Sequence, residues 1–278
     1  MLSTITAPTR PVLRYHGGKW KIAPWIISHF PEHGVYVEPF GGAASVLLRK
    51  PRSYSEVYND LDRTVVNVFR VLRDSAMATA LQRSLEITPF SREEYEAAYE
   101  PTDDPIESAR RMIFRSVAGI GTDSVITRRG FRNSTKRNDQ HISVAYEWQS
   151  FPQQVRIFTE RLRGVIIENR NYSEVIKQHD GKDTLFYVDP PYTHGSRTGN
   201  ARYSHEMTDE NHRELSRLLH SVKGMVIVSG YQSDLYDELY ADWRLERHDA
   251  FAHGALKRVE CLWLSPRARN QQQQISFG

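Results

Sequence analysis

The chain has 278 residues, with 37 Lys and Arg against 34 Asp and Glu, 39% hydrophobic and 26% charged residues. That is about one and a half to two average domains, long enough to bury a full core. No stretch approaches the roughly 18 uninterrupted apolar residues of a membrane span, and the first residues lack the apolar centre of a signal peptide. The single cysteine, Cys261, makes neither an internal disulfide nor a thiolate metal site. The expected class is a cytoplasmic globular protein.

In chain order, Val35, Tyr36 and Val37 predict a short apolar strand running into Glu38-Pro39-Phe40-Gly41-Gly42, and residues 43–49 have helical character. Residues 56–59 predict a strand ending at Asp60, and Asp62 caps a helix over 64–73 whose apolar residues fall at helical spacing. From 75 to 164 the pattern is helical, interrupted over 119–141 by Gly, Arg and Asn, with no convincing strand pair. Alternation then resumes with a strand over 165–168, a helix over 172–179 and an apolar strand over 184–188 that ends at Asp189-Pro190-Pro191-Tyr192. A helix over 209–222, a buried strand over 225–229 and a helix over 233–240 follow, then a closing pair of strands over 243–248 and 258–264. Strands separated by helices predict a parallel, doubly wound α/β sheet, here split by a helical insertion. The tail from 271, with four consecutive glutamines, is low in complexity and expected to be disordered.

The net charge of +3 hides an uneven distribution. Residues 85–105 hold seven acids and one base, whereas 106–164 hold eleven bases and five acids. Within the latter, Arg128, Arg129, Arg132, Lys136 and Arg137 fall in ten residues that contain no acid. Such a run suits a polyanion partner. Taken alone it reads more readily as a solvated basic loop, so its meaning depends on chemistry elsewhere in the chain.

Two features carry that chemistry. The first is Val37-Glu38-Pro39-Phe40-Gly41-Gly42-Ala43-Ala44-Ser45, where small residues at a strand-to-helix turn let a ligand approach the backbone. It is not a phosphate-binding P-loop, since no Gly-Lys-Ser/Thr follows, and it lacks the full dinucleotide fingerprint. About 20 residues on, Asp60 ends the next strand, where an acid can accept from ribose hydroxyls. The second is Asp189-Pro190-Pro191-Tyr192 at the carboxyl end of an apolar strand, a tetrapeptide that chance supplies about once in a thousand chains of this length. Its prolines fix the backbone and remove N–H donors, leaving carbonyls to accept. Asp189 adds a second acceptor and Tyr192 a flat face for stacking, a set suited to an exocyclic amine on an aromatic ring.

With these residues in hand, the chain resembles the Dam-like DNA adenine methyltransferases of the alpha group. The match rests on Arg14-Tyr15-His16-Gly17-Gly18-Lys19, on the Val37 to Ser45 segment, on Tyr58-Asn59-Asp60-Leu61-Asp62 and on Asp189 to Tyr192, in the family's order. It covers most of 12–264. The resemblance implies a Rossmann-like methyltransferase sheet with an inserted, mainly helical target-recognition domain. Residues 1–75 and 165–270 would form the catalytic domain and 76–164 the insertion, followed by the tail over 271–278. It implies S-adenosylmethionine as methyl donor, lined by Tyr15, Gly17, Gly18, Lys19, Glu38, Phe40 and Gly42, with Asp60 on the ribose, a looser contribution from Asn171 and Tyr172, and Asp189 adjoining. Asp189, Pro190 and Tyr192 would act on the target base, and double-stranded DNA would be the partner. Arg128, Arg129, Arg132, Lys136 and Arg137 then gain a reading as DNA contacts.

Two positions depart from the family pattern. Ala44 replaces a small glycine, which implies weaker or repositioned donor binding, and Tyr15-His16 replaces an aromatic-alanine pair. The implied reaction needs neither a metal nor a cysteine nucleophile, and a single base-extruding site needs no symmetry, so a monomer is expected. Three alternatives stand beside this one: methylation of RNA or of a protein amide, a DNA-binding homologue without catalysis, and a dinucleotide-dependent oxidoreductase. The last leaves Asp189 to Tyr192 without a role. The 119–141 segment does not match the reader of GATC, so no recognition sequence is inferred.

Overall fold

The computed structural model describes residues 7–135, 143–191, 206–251 and 257–269. The chain divides into two compact units, one comprising Met1–Trp20, Gly42–Arg49 and Asp62–Arg163, the other Lys21–Gly41, Lys50–Leu61 and Gly164–Gly278.

The second unit carries the sheet. Its strands are β1 (Val35–Glu38), β2 (Ser55–Asn59), β3 (Val165–Glu168), β4 (Thr184–Val188), β5 (Met225–Tyr231), β6 (Arg244–Phe251) and β7 (Lys257–Leu264). They lie in the order β3-β2-β1-β4-β5-β7-β6. The first five are parallel, and β7 runs antiparallel to both β5 and β6. This is the α/β sheet expected from the alternation of strands and helices, and the expected closing pair of strands is there, running antiparallel.

Registers Val37↔Phe186 and Val188↔Val228 align the valines and phenylalanines of β1, β4 and β5 on one face. There they pack with Val175 and Ile176 of α9 (Tyr172–Gln178), with Leu215 and Leu219 of α10 (Asp209–Ser221), and with Tyr236 of α11 (Asp234–Leu239). Because side chains alternate along a strand, Tyr36, Glu38, Tyr187, Asp189 and Ser229 fall on the opposite face. A helix absent from the sequence pattern, α1 (Ala23–Ile27), spans five residues with Pro24 in its first turn, too short to show a period. Cys261 is buried in β7, and burial pushes its thiol pKa up, as suits a packed side chain.

The first unit contains α2 (Ser45–Arg49), α3 (Arg63–Arg73), α4 (Ser75–Ile87), α5 (Arg92–Ala97), α6 (Pro105–Ala118), α7 (Val144–Gln149) and α8 (Gln154–Leu162). Asp62 caps α3 by accepting from the N–H groups of Thr64 and Val65 at 2.9 and 3.4 Å, as the sequence predicts. Asp74 and Asp104 cap α4 and α6 in the same way. Helices α3 and α4 pack against α6 and α8 around Phe69, Phe114 and Phe158, all fully buried. After α6 the chain turns back on itself: Gly119 bridges Phe131 in antiparallel fashion, and the Phe131 ring lies 5.1 Å from Phe90 and 5.6 Å from Tyr95.

Candidate active site

Four parallel strands of the second unit end at one edge of the sheet, and the predicted residues of that unit collect there. β1 ends at Glu38, Asp60 follows β2, Asn171 and Tyr172 begin α9 after β3, and Asp189 follows β4. The chain order reverses between β1 and β4, the place where open α/β sheets bind ligands beyond their carboxyl ends.

Each carboxylate is held by its own strand geometry. Glu38 is buried and accepts a 2.6 Å hydrogen bond from the Tyr36 hydroxyl, two residues earlier on the same face. Burial, followed by the charge of Glu38, holds the Tyr36 phenol well above its ordinary pKa, so it stays a donor through neutral pH. Asp189 is half-buried and accepts from the Ser229 hydroxyl of β5 at 3.3 Å. Pro190 is buried beside it. Tyr192 lies outside the described residues.

The loop after β1 is fixed by β2. Asn59, 1% exposed, donates through Nδ2 to the carbonyls of Pro39 at 2.8 Å and Arg170 at 3.1 Å, and its Oδ1 accepts from the Arg170 N–H at 2.9 Å. Gly41 sits so close to the Tyr58 ring that a Cβ would come within 2.2 Å of Cε2, so the turn admits only glycine. Asn169 ties down the backbone of Asp60 by donating to its carbonyl at 2.8 Å. The rings of Phe40 and Tyr172 face each other with centroids 5.0 Å apart. The Asn171 side chain is engaged as the cap of α9, accepting from the Ser173 N–H at 2.9 Å.

Within the first unit, the predicted residues cluster around the Tyr15 ring and the turn after it. Tyr15 is buried, and Tyr15 to Gly18 form a tight turn in which the Gly18 N–H donates to the Tyr15 carbonyl at 3.1 Å. Gly17 takes a left-handed backbone at φ 74°, and the buried Lys19 ammonium donates to its carbonyl at 2.8 Å. Gly42 is left-handed at φ 47°, and a Cβ there would meet the Tyr15 ring at 3.6 Å. His16 Nδ1 lies 3.4 Å from Thr122 Oγ1.

The basic residues occupy the segment after α6. Arg128 is exposed and pairs with Glu96 at 3.0 Å, and Arg129 is exposed and pairs with Asp123. The Arg128–Glu96 pair is exposed on both sides, and such pairs are weak and exchange readily for another anion, whereas Asp123 is half-buried. Arg132 is half-buried and donates to the Val117 carbonyl at 3.2 Å. Lys136 and Arg137 lie outside the described residues.

Sequence reasoning missed Ser229, Asn59 and Tyr36 as supports of this edge. A hydroxyl and an amide at the ends of apolar strands were the available signals. So was the Tyr-x-acid pattern, which recurs as Tyr36-Val37-Glu38 and Tyr187-Val188-Asp189.

Comparison with known proteins decides the family. Residues 15–253 match the model of the D12 class N6 adenine-specific DNA methyltransferases. The chain belongs to that family. Among its relatives, the "DNA adenine methylase" of Vibrio cholerae is 26% identical over 196 residues, covering 69% of this chain and 68% of the relative. Those of Salmonella typhi and Escherichia coli strain K12 are 24% and 23% identical over 243 residues, covering 83% of this chain and 84% of each relative. The resemblance read from the motifs is thus borne out, and the chain is an adenine-specific DNA methyltransferase that draws on a methyl donor. Among the described residues, no helix of this D12 class methyltransferase is long and apolar enough to cross a membrane.

Proposed function

We propose that this methyltransferase carries the methyl of S-adenosylmethionine to the 6-amino group of an adenine that has been rotated out of double-stranded DNA. The observation that carries this reading is Asp189-Pro190 at the end of β4, beside the Glu38 end of β1, at the switch point of the sheet. The donor set suits the cofactor: carboxylates at Glu38 and Asp60 can accept from hydroxyls and ammonium, and the Phe40–Tyr172 pair offers aromatic surface. For Tyr15, Gly17, Gly18, Lys19 and Gly42 the same role is proposed on the motif alone. When bound, S-adenosylmethionine supplies a methyl already activated on a sulfonium, so no metal is required.

The 6-amino group is a poor nucleophile because its lone pair is delocalised into the ring. The Asp189 carboxylate and the Pro190 carbonyl accept its two N–H bonds, which favours a pyramidal nitrogen with its lone pair out of the ring plane. These acceptors raise the rate to the extent that they match the transition state better than the flat ground state. The amine is inaccessible inside a duplex, so the base leaves the stack at a cost of a few kcal/mol. Tyr192 is assigned to stack on it, returning about 1–3 kcal/mol. Phosphate contacts from Arg128, Arg129, Arg132, Lys136 and Arg137 offset the remainder. On this reading the protein works as a monomer on duplex DNA in the cytoplasm.

Transfer of labelled methyl from S-adenosylmethionine to duplex DNA, RNA and protein, by the parent chain and by Asp189→Ala, tests the proposal. Labelling of duplex DNA by the parent alone is expected. Labelling confined to RNA or protein, or an undiminished Asp189→Ala, would refute it.

A further inference from the structure

Ser229 interrupts an apolar run, Met225-Val226-Ile227-Val228, and is 1% exposed. A buried hydroxyl is costly unless it is hydrogen-bonded, and a strand in this position is ordinarily apolar. The parallel register Val188↔Val228 sets Asp189 and Ser229 side by side on the sheet face opposite the packed core, where the Ser229 hydroxyl donates to Asp189 Oδ1 at 3.3 Å. Tyr187 lies two residues before Asp189 on the same face and is buried. Burial, then the charge of Asp189, holds its phenol pKa well above the ordinary value against the opposing effect of the neighbouring Ser229 hydroxyl, so Tyr187 is a neutral neighbour of the pair.

We propose that Ser229 is a positioning residue for Asp189: its hydroxyl holds Oδ1 and helps fix the rotation of the carboxylate that accepts from the target amine. This assignment rests on the reading of Asp189 as that acceptor. The terminal torsion of an aspartate is broad and roughly two-fold, so each hydrogen bond to the carboxylate narrows the range over which its oxygens turn away from the N–H bond. A small misorientation of a group that acts by geometry lowers the rate without changing which molecules bind.

Single-turnover methyl transfer by the full chain to a duplex that the parent methylates tests the assignment. Titrations of S-adenosylmethionine and of the duplex, together with the melting temperature, accompany each variant. Ser229→Ala is expected to slow transfer about tenfold, the scale of a hydrogen bond to a charged group, with both affinities within about twofold of the parent. Ser229→Thr, which keeps the hydroxyl, restores the rate. Ser229→Cys keeps the size but is a weak donor and behaves like Ser229→Ala. If the alanine variant does not fold, the contrast between the cysteine and threonine variants decides. Parental rates in Ser229→Ala or Ser229→Cys would overturn the assignment. So would equal losses in the alanine and threonine variants accompanied by weakened binding, the signature of a packing role. Asp189→Ala in the same assay separates the two levels: if it remains active, the reading of Asp189 fails. If it is inactive while Ser229→Ala is fully active, only the assignment of Ser229 fails.

Discussion

Ala44 carries a backbone conformation that ordinarily selects glycine. Among the described residues it is the one non-glycine with a left-handed backbone, at φ 52°, and it is fully buried. That conformation costs an alanine about 1–2 kcal/mol. Glycine would relieve the strain but would give up a buried methyl, about 0.8 kcal/mol. It would also add about 0.5–1 kcal/mol of chain entropy to be lost on folding. The terms cancel, so Ala44→Gly is expected to leave stability within about 0.5 kcal/mol of the parent. The buried Ala109 in the middle of α6 has no strain to relieve, and Ala109→Gly is expected to cost about 1.5–2 kcal/mol. Urea unfolding of the two variants checks this; equal losses at both positions would contradict it. The same left-handed residues explain why α2 starts at Ser45, although helical character in the sequence begins at 43.

At the scale of elements, the edge of the sheet is clipped together by the last residue of β2. Asn59 bonds the backbone of both neighbouring loops, at Pro39 and Arg170. Asn59→Ala strands two carbonyls and one N–H, and at about 1–3 kcal/mol per buried unpaired group the expected loss is about 3 kcal/mol or more. A lower melting temperature together with about tenfold weaker binding of S-adenosylmethionine is expected. Unchanged binding would mean that these loops do not shape the donor site. The strands at the site were legible in the sequence because they are short apolar runs ending in Glu38, Asp60 and Asp189, and α3 because Asp62 marks its start. The supports of the site were not. Asn59 reaches Arg170, 111 residues away, and Ser229 reaches Asp189, 40 residues away, and only strand order brings those together. Helix α1 was missed because five residues show no period, and the Gly119–Phe131 bridge because a single bridged pair leaves no alternation to read.

For the whole molecule, charge matters more by placement than by sum. A net +3 over 278 residues says little about a polyanion. The exposed guanidinium of Arg128, paired only at the surface, can exchange its partner for phosphate, and Arg129 is exposed beside it. Arg128→Ala and Arg132→Ala are both expected to weaken duplex binding and to reduce the slope of log affinity against log salt by about one for each phosphate that is no longer neutralised. Arg128→Ala is the cleaner variant, since Arg132 also supports the Val117 carbonyl at the end of α6. Binding titrations across salt concentrations decide this, and an unchanged slope would remove these residues from the DNA interface. Which compact unit takes Met1–Trp20 and Gly42–Arg49 is likewise a matter of long-range packing that no local pattern carries.

The central claim, that Asp189 at the end of β4 directs methyl transfer to adenine in DNA, is tested most directly by mapping. The chain and its Asp189→Ala variant are expressed in a host without DNA methylation, and the plasmid is sequenced by a method that detects modified adenine. N6-methyladenine at a defined set of sites with the parent, and none with the variant, is the expected result. Unmodified DNA from a folded parent, or equal modification by the variant, would contradict it.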